Sequence, residues 1–450
     1  MICLLRLISV VKFRKNHIAG KETLQKKVAV QTMRTLPTSQ PGAIPHCYKW
    51  EMLVLLWIAF FLHQGCRQIY NSVIPLIKVD LGLSDVQAGL VSSIFTLVYG
   101  ILVPVAGLVG DRFPRKWIIV SSLLVFSSGT LLTGFSTNIV MMVVLISITT
   151  GGGEAFFYPS TTSLLAQFHE KTRALALGLL QTGLYIGITV SGLLAGWIGQ
   201  THGWRNSFLV FGGAGILWTI VIALRLRNTP LPAVSTKSPT DKIPIREVLS
   251  YLVRRPTVWM LSFAFGGMVF VGVGYMTWMP TFLYEKFHLS VKDAALNSML
   301  YHFSFAFLGV LVGGRGSDRL AARRPTIRME IGILGLLLGA PFIWLMGTST
   351  NLTIVYVALA GFGFFRGLYD SNLFAALYDV IPARYRSSAT GLMLSCAFTV
   401  GATSPVLLGY LKQHINLSIG LSSLAFVYLF GAALIFVALK VFFARDYVRE

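Results

Sequence analysis

Six ionisable side chains stand inside otherwise apolar stretches of this chain: His63, Arg67, Glu154, His302, Arg366 and Asp370. A charge among hydrocarbon is costly, so such groups usually line a water-filled path or a substrate site. His63, Arg67 and Asn71 recur at i, i+4 and i+8, which makes one polar stripe on a helix. Glu154 and Tyr158 share a second face, just after Gly151-Gly152-Gly153, and Arg366 and Asp370 share a third, with Asn372 nearby. The residue types define the available chemistry. A guanidinium offers two parallel donors to a carboxylate. A carboxyl group out of water is pulled one way by desolvation and the other by a nearby arginine, so it can be poised to exchange a proton. Plainer readings stand beside these: Arg366 and Asp370 could neutralise only each other, Glu154 could serve as a structural hydrogen-bond partner, and His63 and His302 could be satisfied core histidines.

The elements that carry these residues are membrane helices. Twelve apolar stretches are expected at 50–77, 86–110, 116–135, 138–168, 172–200, 203–226, 256–284, 291–314, 326–347, 351–379, 386–411 and 417–444. A hydrocarbon layer about 30 Å thick needs roughly 20 apolar residues per helix, and only helices or closed barrels satisfy the backbone there. The stretches are long and do not alternate, so they read as helices. Composition agrees: 54% hydrophobic residues, 12% charged, and a mean hydropathy of +0.69. The chain also holds 43 glycines, which let membrane helices approach closely.

The formal net charge of +21 invites a nucleic-acid partner, but its distribution excludes one. With both termini on the cytoplasmic side, the cytoplasmic segments hold 31 Lys and Arg and the external loops hold 5. Such a split orients a membrane protein and meets anionic lipid. Residues 1–49 are basic and lack a stretch of spanning length, and they read as a disordered cytoplasmic tail or an over-long start with Met33 as initiator. Cys3, Cys47, Cys66 and Cys396 have no metal-ligand spacing. No P-loop or nucleophile elbow is present, and the glycine-rich run Gly361–Gly367 follows no strand, so it is not a dinucleotide fingerprint.

The chain also repeats itself. The segment 228–255, with Pro230, Pro232, Pro239 and Pro244, divides it into helices 50–227 and helices 256–444, with a short tail at 445–450. Asp111-Arg112 follows the second stretch as Asp318-Arg319 follows the eighth, each with a glycine four residues earlier, Gly107 and Gly314. Arg173 with Gly178 corresponds to Arg386 with Gly391 at an offset of 213. That offset sets Arg366 opposite Gly153 and Glu154 opposite Gly367, so the charges occupy corresponding levels of the two halves.

The run Gly107-Leu-Val-Gly-Asp111-Arg112-Phe-Pro-Arg115-Lys116 resembles the hallmark G-x3-D-R-x-x-R-K loop of the major facilitator superfamily, and the resemblance covers nearly everything after the tail. It implies an all-α membrane protein of twelve helices in two pseudo-symmetric six-helix bundles, with one midplane site exposed alternately to each side. It also implies a gating latch at Gly107, Asp111, Arg112, Arg115 and Lys116, echoed by Asp318 and Arg319. Asp111 would accept from a helix amino end while the basic residues face lipid headgroups.

Gly153-Glu154-Ala155 with Tyr158-Pro159, Arg173-Ala-x-Ala-x-Gly178 and Gly203-Trp204-Arg205 with Phe208 resemble the anion:cation symporter branch, which imports sugar acids and related anions with protons. By that resemblance Arg67 would bind the substrate carboxylate, Tyr70 and Asn71 would follow it in the site, and Glu154 would carry the proton. Cys66 stands where that branch usually has an acid, and Ser147 where several members have a second arginine. Gly153-Glu154-Ala155 with Gly110-Asp-Arg-Phe also resembles spinster-type lipid transporters.

The reading is a secondary transporter, not an enzyme, that needs no cofactor or metal. It takes a small organic anion with protons, and Arg67, Tyr70, Asn71, Tyr158, Arg366 and Asp370 are candidate substrate residues. It is expected in a bacterial inner membrane, as a monomer among lipids. Two alternatives are an exporter of amphiphiles, drugs or lysolipids in the same fold and a receptor or scaffold that no longer transports.

Overall fold

A computed structural model describes residues 48–448, apart from 111–112, 170–171, 228–244, 322 and 383–384. The tail, except Tyr48 and Lys49, and most of the 228–255 linker therefore lie outside the described residues. Among the described residues there is no strand, and twelve helices are long and apolar enough to cross a membrane. In the amino-terminal half they are α1 (Tyr48–Leu81), α2 (Asp85–Gly110), α3 (Arg115–Thr133), α4 (Ile139–Phe168), α5 (Arg173–His202) and α6 (Trp204–Arg225). In the other half they are α7 (Pro256–Phe287), α8 (Val291–Ala321), α9 (Ile327–Thr348), α10 (Leu352–Tyr378), α11 (Arg386–Ala402 and Ser404–His414) and α12 (Leu417–Asp446). A short helix, Ile245–Val253, occupies the end of the linker.

Local chemistry starts and stops these helices. The side chains of Asn138, Asn351 and Asn416 accept from the first backbone N–H groups of α4, α10 and α12. Gly203, at φ 88°, makes the turn between α5 and α6 that a residue with a Cβ would resist. Four helices run three or more residues further than hydropathy predicts: α1 to Leu81, α7 to Phe287, α8 to Ala321 and α11 to His414. The reason at two of these ends is that the polar residues are partnered. Lys78 pairs with Asp85, and Lys286 donates to the Gly347 carbonyl at 3.0 Å and to Ser418 Oγ at 3.1 Å. The longer α8 corrects the reading of Asp318 and Arg319 as a loop: both are exposed residues of its last turns.

Three irregularities have no counterpart in the hydropathy pattern, one of them a π-helical stretch at Ala438–Phe442 in α12. α11 breaks at Thr403, two residues before Pro405, which cannot donate to the helix. α4 widens into a π-helical stretch over Val143–Thr150, immediately before the three glycines and Glu154. There the hydroxyls of Thr149 and Thr150 reach back five residues, to the carbonyls of Val144 and Leu145 at 2.9 Å each. π turns inside α-helices are frequent at functional sites.

Packing follows the repeat. α3 lies against α4 and α6 and α2 against α4, while α10 lies against α8 and α9 and α7 against α11 and α12. The halves meet through α2 with α11 and through α5 with α8, pairs that the internal repeat exchanges. Glycines set the closest approaches. A Cβ at Gly363 would strike the His302 carbonyl, and one at Gly309 the Phe364 carbonyl, so α8 and α10 are nearly in backbone contact. The seam is tight at the end that holds Asp85, His202 and His414: Gly89 lies against the Pro405 carbonyl, Gly409 against that of Asp85, and Gly196 against Lys292. Towards the other end Gly178 and Gly391 face open space, and Leu175 is 55% exposed.

Candidate functional site

Arg67 leaves α1 towards α2, where its guanidinium lies over Phe95 at 5.1 Å and Tyr99 at 5.4 Å. Aromatic faces attract a cation but do not neutralise it. No carboxylate pairs with Arg67 among the described residues, Glu154 included. Its charge borders a cavity of about 30 Å³, which Asn71, Ser92 and Thr96 line from the same half and Val273, Met276 and Thr277 from the other. That is room for a water molecule, not for an organic acid. A larger occupant requires the halves to part.

The neighbours of Arg67 divide in two. Asn71 stays at the cavity, and its amide oxygen faces the Ser92 hydroxyl at 3.4 Å. Tyr70 borders the cavity too, but it is buried and donates its hydroxyl to the Ala88 carbonyl at 2.9 Å, which ties α1 to α2. The polar stripe read along α1 therefore fans out. His63 turns away from the cavity to α4, where its ring stacks on Phe157 at 5.0 Å and meets Phe126 edge-on at 5.3 Å.

Glu154 is wholly buried, and neither carboxyl oxygen has a hydrogen-bond partner. His63 Nε2 lies 3.3 Å from the Glu154 carbonyl oxygen and 3.9 Å from its Oε2. The Gln64 amide faces the other ring nitrogen of His63 at 3.2 Å. The glycines before Glu154 explain its depth: Gly153 packs against the backbone of Phe126, and Ser122 donates to the Gly153 carbonyl at 2.6 Å, so α3 and α4 touch. Ser147, in the π-helical stretch, donates to the Val91 carbonyl at 2.7 Å and fastens α4 to α2. Tyr158, one turn beyond Glu154, keeps 38% of its surface and packs its ring on Phe60 at 5.4 Å.

The second charged group lies in the other half. Arg366 donates from Nη1 to His302 Nε2 at 3.1 Å, and its Nε lies 3.5 Å from Asp370 Oδ2. Close packing at Gly363 and Gly367 brings His302 of α8 to Arg366 of α10. Tyr275, whose hydroxyl donates to the Ser298 carbonyl, closes the other side of His302 with Phe362. Tyr185 reaches over from α5 and packs on Phe303 at 5.8 Å and Phe307 at 6.1 Å. Asn372 is buried and bonds within its own helix, donating to the Leu368 carbonyl at 3.0 Å.

The latch residues are only partly visible. Asp111 and Arg112 lie outside the described residues, and Gly107 belongs to α2. Arg115 and Lys116 open α3, with the Lys116 ammonium 5.3 Å from the Trp117 ring. Asp318 and Arg319 make no ion pair among the described residues. Sequence reasoning missed a third charge cluster, at the tight end. Lys412 of α11 bonds to Asp85 of α2 and Glu285 of α7, and Lys78 of α1 shares the same Asp85. Lys78 and Lys412 are among the five external basic residues of the charge count, Asp85 and Glu285 were not singled out, and the one signal in the sequence was an acid at a helix start. No group of three His, Cys, Asp or Glu residues fit for a metal ion occurs among the described residues.

The profile of the Major Facilitator Superfamily matches residues 56–405. A hexuronate transporter of Bacillus subtilis strain 168 is 26% identical over 380 residues, which is 81% of this chain and 88% of the relative. A probable sulfoacetate transporter of Cupriavidus necator is 26% identical over 381 residues, 81% of this chain and 87% of the relative. Among solved structures, a bacterial homolog to the human lysosomal transporter Spinster, in an inward-facing and unoccupied conformation, superposes with a TM-score of 0.79 at 21% identity. It covers 91% of this chain and 100% of that one, and it shares the fold.

Proposed function

The chain belongs to the Major Facilitator Superfamily, and from that premise we propose that it carries a small organic anion across the membrane with protons, by alternating access. That it is an integral membrane transporter follows from its helices and its family. The substrate class rests on one observation above all: Arg67 is a charge without a carboxylate partner, at a cavity bordered by both halves. Hexuronate and sulfoacetate, named for two relatives, are both small acids with a carboxylate.

In this reading residues 50–227 and 256–444 are the two moving bundles, both termini are cytoplasmic, and the tight end at Asp85 and Lys412 faces outward. The described state is then closed outside. Arg67 takes the carboxylate, Asn71 borders it, and Arg366 faces it from the other bundle. Glu154 holds a proton in a buried pocket beside His63, with the Arg67 charge within electrostatic reach. The Asp111 loop latches the cytoplasmic side in the opposite state.

Uptake of radiolabelled glucuronate and sulfoacetate into proteoliposomes, with and without an inward proton gradient, tests this. Gradient-driven accumulation of either acid is the expected result. A second reading, movement of an amphiphile, draws on an apolar groove of about 570 Å³ between α2, α3 and α4, lined by Leu102, Val125, Ile148 and Phe156. Failure to take up either acid, with transfer of a fluorescent lysolipid, would decide for that reading.

A further inference from the structure

We propose that Asp370 is a second proton-loading acid, which must be protonated before an anion can bind Arg366, so that each substrate travels with two protons. The inference rests on the proton-coupled anion reading above and extends it to the carboxy-terminal half.

The geometry carries the argument. Arg366 is engaged on two sides: Nη1 donates to His302 Nε2, and Nε faces the Asp370 carboxylate at 3.5 Å. An incoming carboxylate would bring a second negative charge to a guanidinium that Asp370 already neutralises. Two carboxylates sharing one site cannot both stay ionised cheaply. Transfer of one proton from water to Asp370 removes the conflict. The ion pair to Arg366 opens, and the guanidinium is free to donate to the substrate. On release the proton returns to water and the Asp370–Arg366 pair re-forms, so charge and protons balance over the cycle.

Every other group that faces the pair leaves Asp370 as the site of that proton. Tyr369 lies beside it on α10, and Tyr185 of α5, Tyr275 of α7 and Tyr428 of α12 face the pair with phenols, which stay neutral at ordinary pH. His302 of α8 is the one other candidate. A guanidinium nitrogen can only donate, so Nε2 must accept and the ring must be neutral, with its proton on Nδ1. A second proton on His302 would set a donor against a donor. His302 is therefore a positioning residue, and its orphaned Nδ1 lies in a dry pocket between Tyr275 and Phe362.

Access separates the two acids. The Asp370 side chain keeps 33% of its surface, whereas that of Glu154 keeps none. The proposal therefore has Asp370 exchange its proton in the described state and Glu154 in another. The two protons then load at different stages of the cycle.

Proteoliposomes containing the full chain and glucuronate as the probe test the proposal. Two protons with a monoanion move net positive charge, so uptake by the parent protein should respond to membrane potential as well as to a proton gradient. Its equilibrium accumulation should rise about 100-fold per pH unit at zero potential, against about tenfold with one proton. Asp370→Asn should keep glucuronate exchange, fall to the tenfold slope and lose its response to potential. A merely structural role for Asp370 would lower rates without changing that slope. An unchanged slope and potential response in Asp370→Asn would overturn the inference and leave the anion reading intact. Should Asp370→Asn fail to fold or exchange, Glu154→Gln in weakly buffered detergent supplies the measurement. It should take up one proton as glucuronate binds, and binding without proton uptake would overturn the inference. No transport of glucuronate by the parent overturns both.

Discussion

The Lys412 ammonium, in the last turn of α11, lies 2.8 Å from a carboxylate oxygen of Asp85, in the first turn of α2, and joins the two halves of the molecule through charge. The same ammonium reaches Glu285 of α7 at 2.7 Å, and Lys78 of α1 completes the cluster on Asp85. Only 10% of the Lys412 side chain and 17% of the Asp85 side chain are exposed. A pair this withdrawn from water is screened less than a surface pair, and loss of one partner strands the other. Lys412 also lies 5.4 Å from the ring of Trp278, the residue after Thr277, which lines the Arg67 cavity.

Lys412→Gln is expected to open that end. The loss should be on the order of 1–3 kcal/mol, between the values for exposed and buried pairs, which shifts a two-state equilibrium about fivefold to over 100-fold. A cysteine placed at Met276, in a chain freed of its native cysteines, should react faster with a membrane-impermeant maleimide added outside. Equal rates in parent and variant would mean that glycine packing at Gly89 and Gly409 closes the end without the charges.

Arg67→Lys is expected to impair anion uptake even though the charge is kept. An ammonium cannot copy the two parallel donors of a guanidinium, and the aromatic faces of Phe95 and Tyr99 are shaped for a planar group. The affinity for glucuronate should fall by about tenfold or more, or about 1.4 kcal/mol. Binding of glucuronate and of neutral glucose, compared by calorimetry, checks the charge requirement. A variant that binds the acid as well as the parent does would end the organic-anion reading.

Glu154→Gln should lower accumulation driven by a proton gradient to what Asp370 alone can couple, about tenfold per pH unit, and leave substrate exchange. The amide preserves shape in a pocket where neither carboxyl oxygen has a partner, so folding should survive. Counterflow and gradient-driven uptake, measured on the same vesicles, separate the two activities. Normal uphill uptake by the variant would remove Glu154 from the coupling scheme.

Asp111→Asn tests the latch. A negative charge at a helix amino end, the role that the resemblance implies for Asp111, is worth typically about 0.3–1 kcal/mol, which is enough to bias a balanced equilibrium severalfold. Labelling of a cysteine at Leu175, which is exposed beside the open end of the seam, should increase from the cytoplasmic side. Unchanged labelling in a folded variant would leave the loop as a lipid anchor only.

The amino-acid sequence by itself determined the all-helical membrane fold, its twelve spans and its internal repeat. These depend on composition summed over some twenty residues and on spacings that survive without any knowledge of contacts. It also isolated the six ionisable residues within apolar stretches, because a charge in an apolar run stands out whatever surrounds it. Tertiary structure alone decided what each of them meets. His63 and Arg67 lie one turn apart on α1, yet one faces Glu154 and the other the rings of α2. His302 and Arg366 are separated by 64 residues and meet only because Gly363 and Gly367 let two helices nearly touch. The cluster of Lys78, Asp85, Glu285 and Lys412 was invisible for the same reason: each is an ordinary helix-end charge until four helices from both halves converge. The π-helical stretch before Glu154 depends on a choice between neighbouring backbone partners, and local propensity does not encode that choice. Burial and period are properties of one segment, whereas partnership is a property of two, and distance in the chain hides it.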